Sequence, residues 1–149
     1  MNIDKYYLDI ATTVAARSSC LKKHYGAVVV KNNEIISTGY NGPPRGEAHC
    51  DHCTKFGNDK DIKEYGSCPA VHAEQNAIIS AARRDMIGST LYLAGIVPNT
   101  GECIIAEPCE ICLRLIKNSG IDRVVNADGT LFQRDDAGIL RRVNKWGTL

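Results

Sequence analysis

Between positions 4 and 18 the apolar residues Tyr7, Leu8, Ile10, Ala11, Val14 and Ala15 recur every three or four residues, the stripe of an amphipathic helix that packs on a sheet. The pattern then changes period. Residues 27–30 (Ala-Val-Val-Val) and 35–40 (Ile-Ile-Ser-Thr-Gly-Tyr) are β-branched runs separated by Lys31-Asn32-Asn33-Glu34, which predicts an antiparallel hairpin whose turn uses asparagine's tolerance of left-handed geometry. Residues 41–70 hold glycines, prolines, charges and three cysteines without sustained period, so a long loop is expected, ordered by something other than regular structure. A second helix is expected over 71–84, burying Ala77, Ile78, Ala81 and Ala82, and a strand over 90–94. A loop through 98–107 leads to a third helix that begins at Pro108 and ends near Ser119-Gly120. Residues 122–125 read as a strand, Asp128-Gly129 followed by Thr130-Leu131-Phe132 as a hairpin, and 139–143 as a last strand. The pattern leaves the order of the sheet's far edge open.

Composition narrows the class. At 149 residues the chain is expected to be one domain, 1–149, with a substantial core. A formal charge of +1 with mixed signs gives no field for long nucleic acid, though one or two side chains suffice for a single phosphate. Met1 is followed by polar Asn2, Asp4 and Lys5, with no apolar leader and no membrane-spanning run. The seven cysteines therefore read as reduced metal ligands in a cytoplasmic protein rather than disulfides.

The chemistry concentrates in His72-Ala73-Glu74 and Pro108-Cys109-Glu110-Ile111-Cys112. Structural zinc sites take four N/S ligands, whereas a hydrolytic site keeps three and leaves the fourth position to water. His72, Cys109 and Cys112 supply three, and Glu74 is the carboxylate that can move the water's proton. Cys109 and Cys112 lie one turn apart at a helix start, where the dipole favours thiolate. The competing readings are a purely structural zinc loop with Glu74 as a solvated charge, or a redox Cys-x-x-Cys that needs no distant His-x-Glu.

In this order, with proline before the first cysteine, the motifs match the H-x-E…P-C-x-x-C pattern of zinc nucleobase deaminases. The chain resembles the cytidine deaminase superfamily, and within it the deoxycytidylate (dCMP) deaminases. The likeness runs from about Asp4 to Val125. It includes Ser19-Cys20 ahead of Gly26-Ala27-Val28, the run Gly39-Tyr40-Asn41-Gly42-Pro43-Pro44-Arg45-Gly46, His49-Cys50-Asp51, and His72 through Ile78. This resemblance implies an α/β fold, a three-layer α/β/α sandwich around a mixed sheet. It also implies hydrolytic deamination of a cytosine nucleotide, a homo-oligomer, commonly a hexamer, and a deoxynucleoside triphosphate effector. His72, Cys109 and Cys112 would hold catalytic Zn2+ and Glu74 would shuttle the proton. The backbone at Ala73 would meet the base edge, and Asn41 would bind the sugar, unless it is merely a turn-former with positive φ. Arg45 would contact the 5′-phosphate or an effector phosphate unless it is simply solvated, and Arg83 would lie near a subunit contact. Some relatives carry a second, structural zinc, for which Cys20, Cys50, Cys53 and Cys68 are the candidates here, with His49 or His52 able to replace one; Cys103 has no assigned task.

Three departures from the family pattern stand out. Residues 96–107 form a longer run than usual and place Glu107 directly before Pro108; the segment after Val125 is short for a helical crossover, so an antiparallel end stays open; and no tyrosine-rich segment follows the fourth strand. A deaminase of another base, nucleoside or modified nucleotide, or a catalytically silent zinc-binding module, therefore competes with the dCMP reading. An RNA-editing adenosine deaminase is disfavoured by the absence of a basic surface.

Overall fold

The computed structural model describes residues 1–54, 67–144 and 147–148; the middle of the expected 41–70 loop lies outside them. Helix α1 (Ile3–Ala15) is capped by Asn2, whose side chain accepts from the Lys5 amide at 2.8 Å. It leads into the hairpin β1 (His24–Lys31) and β2 (Glu34–Tyr40), closed by Asn32 and Asn33 at φ 53° and 59° as the sequence predicts. After the loop come α2 (Ala73–Ile79), α3 (Arg83–Met86), β3 (Thr90–Ile96), the short β4 (Cys103–Ile104) and α4 (Glu110–Ser119). The chain continues through β5 (Arg123–Asn126), β6 (Gly129–Arg134), β7 (Leu140–Asn144) and β8 (Gly147–Thr148).

The strands form one mixed sheet in the order β2-β1-β3-β5-β6-β7-β8, with β4 paired to the end of β3. Only β3 and β5 are parallel, joined by the crossover through α4. Beyond β5 the chain turns straight back through Asn126 and Gly129, so the far edge is antiparallel, as the short connection requires.

Strand alternation sorts the core into two layers. Val28 and Val30 of β1 face Tyr7 and Ala11 of α1, with Tyr92, Ala94 and Val125. Ala27 and Val29 point the other way, toward Ala73 and Ala77 of α2 and Ile116 of α4, with Leu91, Leu93 and Val124. The three-layer α/β/α arrangement follows from these two faces. One glycine sets how closely α2 lies on the sheet. A Cβ at Gly39 would overlap the Ala73 carbonyl oxygen and the Ala77 amide nitrogen, so only glycine admits the helix at this depth. Ser37 Oγ then donates to the buried Ala77 carbonyl at 2.7 Å and fixes the helix along the strand.

Two expectations need correction. The helix expected over 71–84 is two pieces: α2 stops at Ile79, Ala82 is extended, and α3 restarts from it. Alanine propensity favours continuation, but tertiary packing overrides it, because the turn carries Met86 into the core while Ile79 stays 71% exposed and Ala82 exposed. Nor does the third helix begin at Pro108. Cys109 is its N-cap, with Sγ accepting from the Cys112 amide at 3.4 Å, so proline sits in the extended lead-in. Gly120, in the left-handed region, ends α4 where expected.

Candidate metal centre and substrate cavity

His72 precedes the first turn of α2 as its N-cap, and its amide donates to Gln75 Oε1 at 2.8 Å, which fixes the entry of the chain into the helix. Across the α2–α4 contact, His72 Nδ1 lies 3.2 Å from Cys112 Sγ and 3.5 Å from Cys109 Sγ. All three donor atoms fall within 4.8 Å of one another, and among the described residues no other group of three histidine, cysteine or acidic side chains does. A tetrahedral ion with bonds of about 2.3 Å to sulfur and about 2.0–2.1 Å to nitrogen spaces its ligand atoms about 3.6–3.8 Å apart. The observed separations are close to those edges, and the borderline-soft N/S/S set suits zinc.

Glu74, one turn-position into α2, is 5% exposed and interacts with the Cys112 thiol. Burial raises the affinity of its carboxyl for a proton, opposed by hydrogen bonds from its own amide and from Cys112. The Cys112 thiol is likewise pushed up, first by burial and then by the charges of Glu74 and Cys109. A bound cation would reverse that cost, since a coordinated thiol is deprotonated outright. The structure places His72 and Cys109 at the N-caps of α2 and α4, and Glu74 and Cys112 within the first turns.

His72, Glu74 and Cys109 line a cavity of about 290 Å³, with Cys112 buried behind them. Ala73 and Asn41 line it as expected, whereas Arg45 lies on an exposed turn outside its lining. Asn41 is not a positive-φ turn residue. Its Oδ1 accepts from the Tyr25 amide at 2.8 Å and its Nδ2 donates to the Lys23 carbonyl at 3.0 Å, so the side chain ties the end of β2 to the entry of β1 while one donor and one lone pair stay free for a ligand. Arg83 sits on α3, not the catalytic helix, and its Nε donates to the Asn118 carbonyl at 2.8 Å.

Cys20, Cys50, Cys53 and Cys68 also line the cavity. The Cys20 thiol is raised mainly by burial, with smaller contributions from the other three cysteines and an opposing hydrogen bond from Ser18. They converge but do not reach the ligand spacing of the first group. His49 is engaged with Ser19 Oγ at 2.7 Å, His52 lines the cavity, and Cys103 is exposed on β4.

Sequence reasoning missed Lys22, Lys23 and Tyr25 on the cavity wall. Tyr25 was within reach. Counting back by two from Val29 and Ala27, which face α2, gives position 25 on the same side.

Comparison with known proteins agrees with this geometry. A family model described as the cytidine and deoxycytidylate deaminase zinc-binding region matches residues 1–127. The deoxycytidylate deaminase of Mycobacterium phage D29 is 44% identical over 128 residues, covering 82% of this chain and 91% of that protein. The deoxycytidylate deaminase of Saccharomyces cerevisiae is 34% identical over 93% of this chain, which spans only 41% of the yeast protein. Among solved structures, the apo dCMP deaminase of cyanophage S-TIM5 superposes with a TM-score of 0.60 at 27% identity, over 85% of this chain and 84% of that one. Among the described residues no helix is long and apolar enough to cross a membrane.

Proposed function

We propose that this chain, which belongs to the cytidine and deoxycytidylate deaminase family, is a zinc-dependent hydrolase that converts dCMP and water to dUMP and ammonia. The observation that carries the reading is the buried Glu74 carboxyl beside the His72, Cys109 and Cys112 donors, on the wall of a nucleotide-sized cavity. Zinc, when bound there, supplies a nucleophilic water at neutral pH. Glu74 would hold the proton of an attacking water and hand it to N3, then carry the second proton, from the hydroxyl added at C4, to the amine, so that the C–N bond breaks as the C4 carbonyl forms. A buried carboxyl with raised proton affinity suits both halves of this shuttle.

The cavity wall also carries Lys22 and Lys23, cationic candidates for the substrate's phosphate, whereas Arg45 is not among its lining residues. A phosphate there gains charge-assisted hydrogen bonds that a nucleoside hydroxyl cannot match. Asn41 stays a sugar-binding candidate through its unused amide valences.

Four finer readings accompany this one. Cys20, Cys50, Cys53 and Cys68 hold a second, structural zinc that orders the loop around the cavity. The enzyme works as a homo-oligomer, a hexamer by resemblance, and takes a nucleotide effector. Its place is the cytoplasm, where its thiols stay reduced.

Ammonia release from dCMP, CMP, deoxycytidine, cytosine, guanine and adenosine tests the substrate. The expected outcome is highest kcat/KM on dCMP. Preference for another member of the panel would assign the site to a different deamination.

A further inference from the structure

Among the described residues Tyr25 is the one phenol on the cavity wall, and the fold holds its ring in place. In the β1–β3 register it stands directly opposite Gly95. A Cβ at Gly95 would come to 3.0 Å from both Cδ1 and Cε1 of the Tyr25 ring and 2.9 Å from Ile104 Cγ1, so the ring lies across the glycine with Ile104 of β4 on its far side. Leu93, two residues before Gly95 and therefore on the same face of β3, lines the cavity next to it. Strand register thus sets an aromatic and an aliphatic side chain side by side under the cavity.

Among the described residues nothing takes up the hydroxyl of that ring. Tyrosine hydroxyls in partly buried positions ordinarily find a hydrogen-bond partner, and Tyr7 and Tyr92 do, donating to Asn33 at 2.7 Å and Asp4 at 2.8 Å. Tyr25 uses its amide on Asn41, but its hydroxyl has no partner among the described residues and is not sealed from solvent. An unpaired donor at the edge of a fixed ring, inside the substrate cavity, is available to a ligand.

Resting on the deaminase reading above, we infer that Tyr25 is a substrate-recognition residue: its ring and Leu93 form the floor on which the pyrimidine rests, and its hydroxyl donates a hydrogen bond to the bound nucleotide. The hydroxyl keeps its proton for that purpose, because burial and the nearby Glu74 charge both raise its proton affinity. Gly95 is the positioning residue that seats the ring. Neither residue moves a proton in the reaction, so both act on binding more than on turnover.

The test compares wild type with Tyr25→Phe, Tyr25→Leu and Gly95→Ala, measuring KM and kcat for dCMP, the dissociation constant of dUMP by calorimetry, zinc content and thermal midpoint. Tyr25→Phe keeps the ring and should raise KM and the dUMP constant together by about three- to tenfold, the worth of one neutral hydrogen bond, with kcat within about twofold and zinc unchanged. Tyr25→Leu should raise both by tenfold or more, and Gly95→Ala should follow it in direction. If Tyr25→Leu folds, keeps its zinc and leaves KM and the dUMP constant within twofold, the inference is overturned. Wild type that fails on dCMP but turns over another panel substrate would sink the dCMP reading alone; the same ratios on that substrate then decide the role of Tyr25. A wild type that turns over none and binds no dUMP overturns both.

Discussion

The side-chain amide of Asn126, at the end of β5 and 1% exposed, donates to the main-chain carbonyl of Ala106 at 2.8 Å, while its Oδ1 accepts from the Asp128 amide at 2.9 Å. Ala106 is itself buried and stands three residues before Cys109. One core amide therefore ties the turn that delivers a metal ligand to the sheet. Next to it Glu107, which lines the cavity, pairs with Arg142 of β7 at 2.6 Å, and the Arg142 guanidinium lies 5.4 Å from the Phe132 ring centroid.

Asn126→Leu should leave the buried Ala106 carbonyl without a partner, at about 1–3 kcal/mol, and release the exposed Asp128 amide to solvent. The thermal midpoint should fall, and zinc should be lost to a chelator faster than from wild type. Arg142→Gln removes a half-exposed ion pair and a half-exposed cation–π contact, each worth about 1 kcal/mol or less. Equal stability of both variants, measured by denaturant unfolding of the zinc-loaded protein, would show that Asn126 does not brace the turn.

Gly39→Ala tests how the catalytic helix is seated. The added methyl meets helix backbone, which cannot rotate away, so α2 must shift. Overpacking of this kind costs about 1–3 kcal/mol or more. Because His72 and Glu74 ride on the displaced end of α2, turnover should fall further than stability alone explains, read as kcat at a temperature where the variant is fully folded. A variant with wild-type kcat would mean that the loop before α2, rather than the strand beneath it, sets the position of the site.

The hairpin at Asn32-Asn33 and the convergence of His72, Glu74, Cys109 and Cys112 were legible in the sequence because each rests on local chemistry: two residues that accept positive φ, and ligand types at spacings that a helix start brings together. The break between α2 and α3 was not, since Ser80, Ala81 and Ala82 carry no stop signal and only the burial of Met86 decides it. That Lys22 and Lys23, and not Arg45, line the cavity was not legible for a related reason. Which of Lys22, Lys23 and Arg45 faces the cavity depends on how Asn41 ties the 18–25 segment to β2, a tertiary relationship no local pattern encodes.

Asp4 gives the fold a pH dependence. Its carboxylate accepts from Arg123 at 3.1 and 2.7 Å and from the Tyr92 hydroxyl at 2.8 Å, which joins α1 to β5 and β3. The Arg123 hydrogen bond, outweighing burial, lowers its pKa from 3.8, while burial, followed by the hydrogen bond to Asp4 and its charge, pushes Tyr92 up to about 12. A depressed folded pKa stabilises the protein above the unfolded value and loses that stabilisation as the pH falls through the folded value. Asp4→Asn should therefore cost about 1–2 kcal/mol at pH 7, and the gap to wild type should close as the pH drops below 3.8. A gap unchanged at pH 3 would mean that the carboxylate charge is not what Arg123 uses.

The four cysteines around the cavity loop predict two zinc ions per chain. Cys50→Ser and Cys53→Ser should each lower the count toward one and lower the thermal midpoint, leaving the ion at His72, Cys109 and Cys112 in place. A wild-type count of one that these substitutions do not change would leave the four thiols without a metal.

Glu74→Gln carries the central claim. The amide keeps the shape of the side chain and leaves His72, Cys109 and Cys112 untouched, but it cannot accept and return a proton. Zinc content and dCMP turnover measured on matched preparations should show catalytic metal retained at the wild-type level and kcat reduced by roughly 10²–10⁴-fold or more. Near-wild-type turnover by Glu74→Gln with its zinc in place would contradict the account.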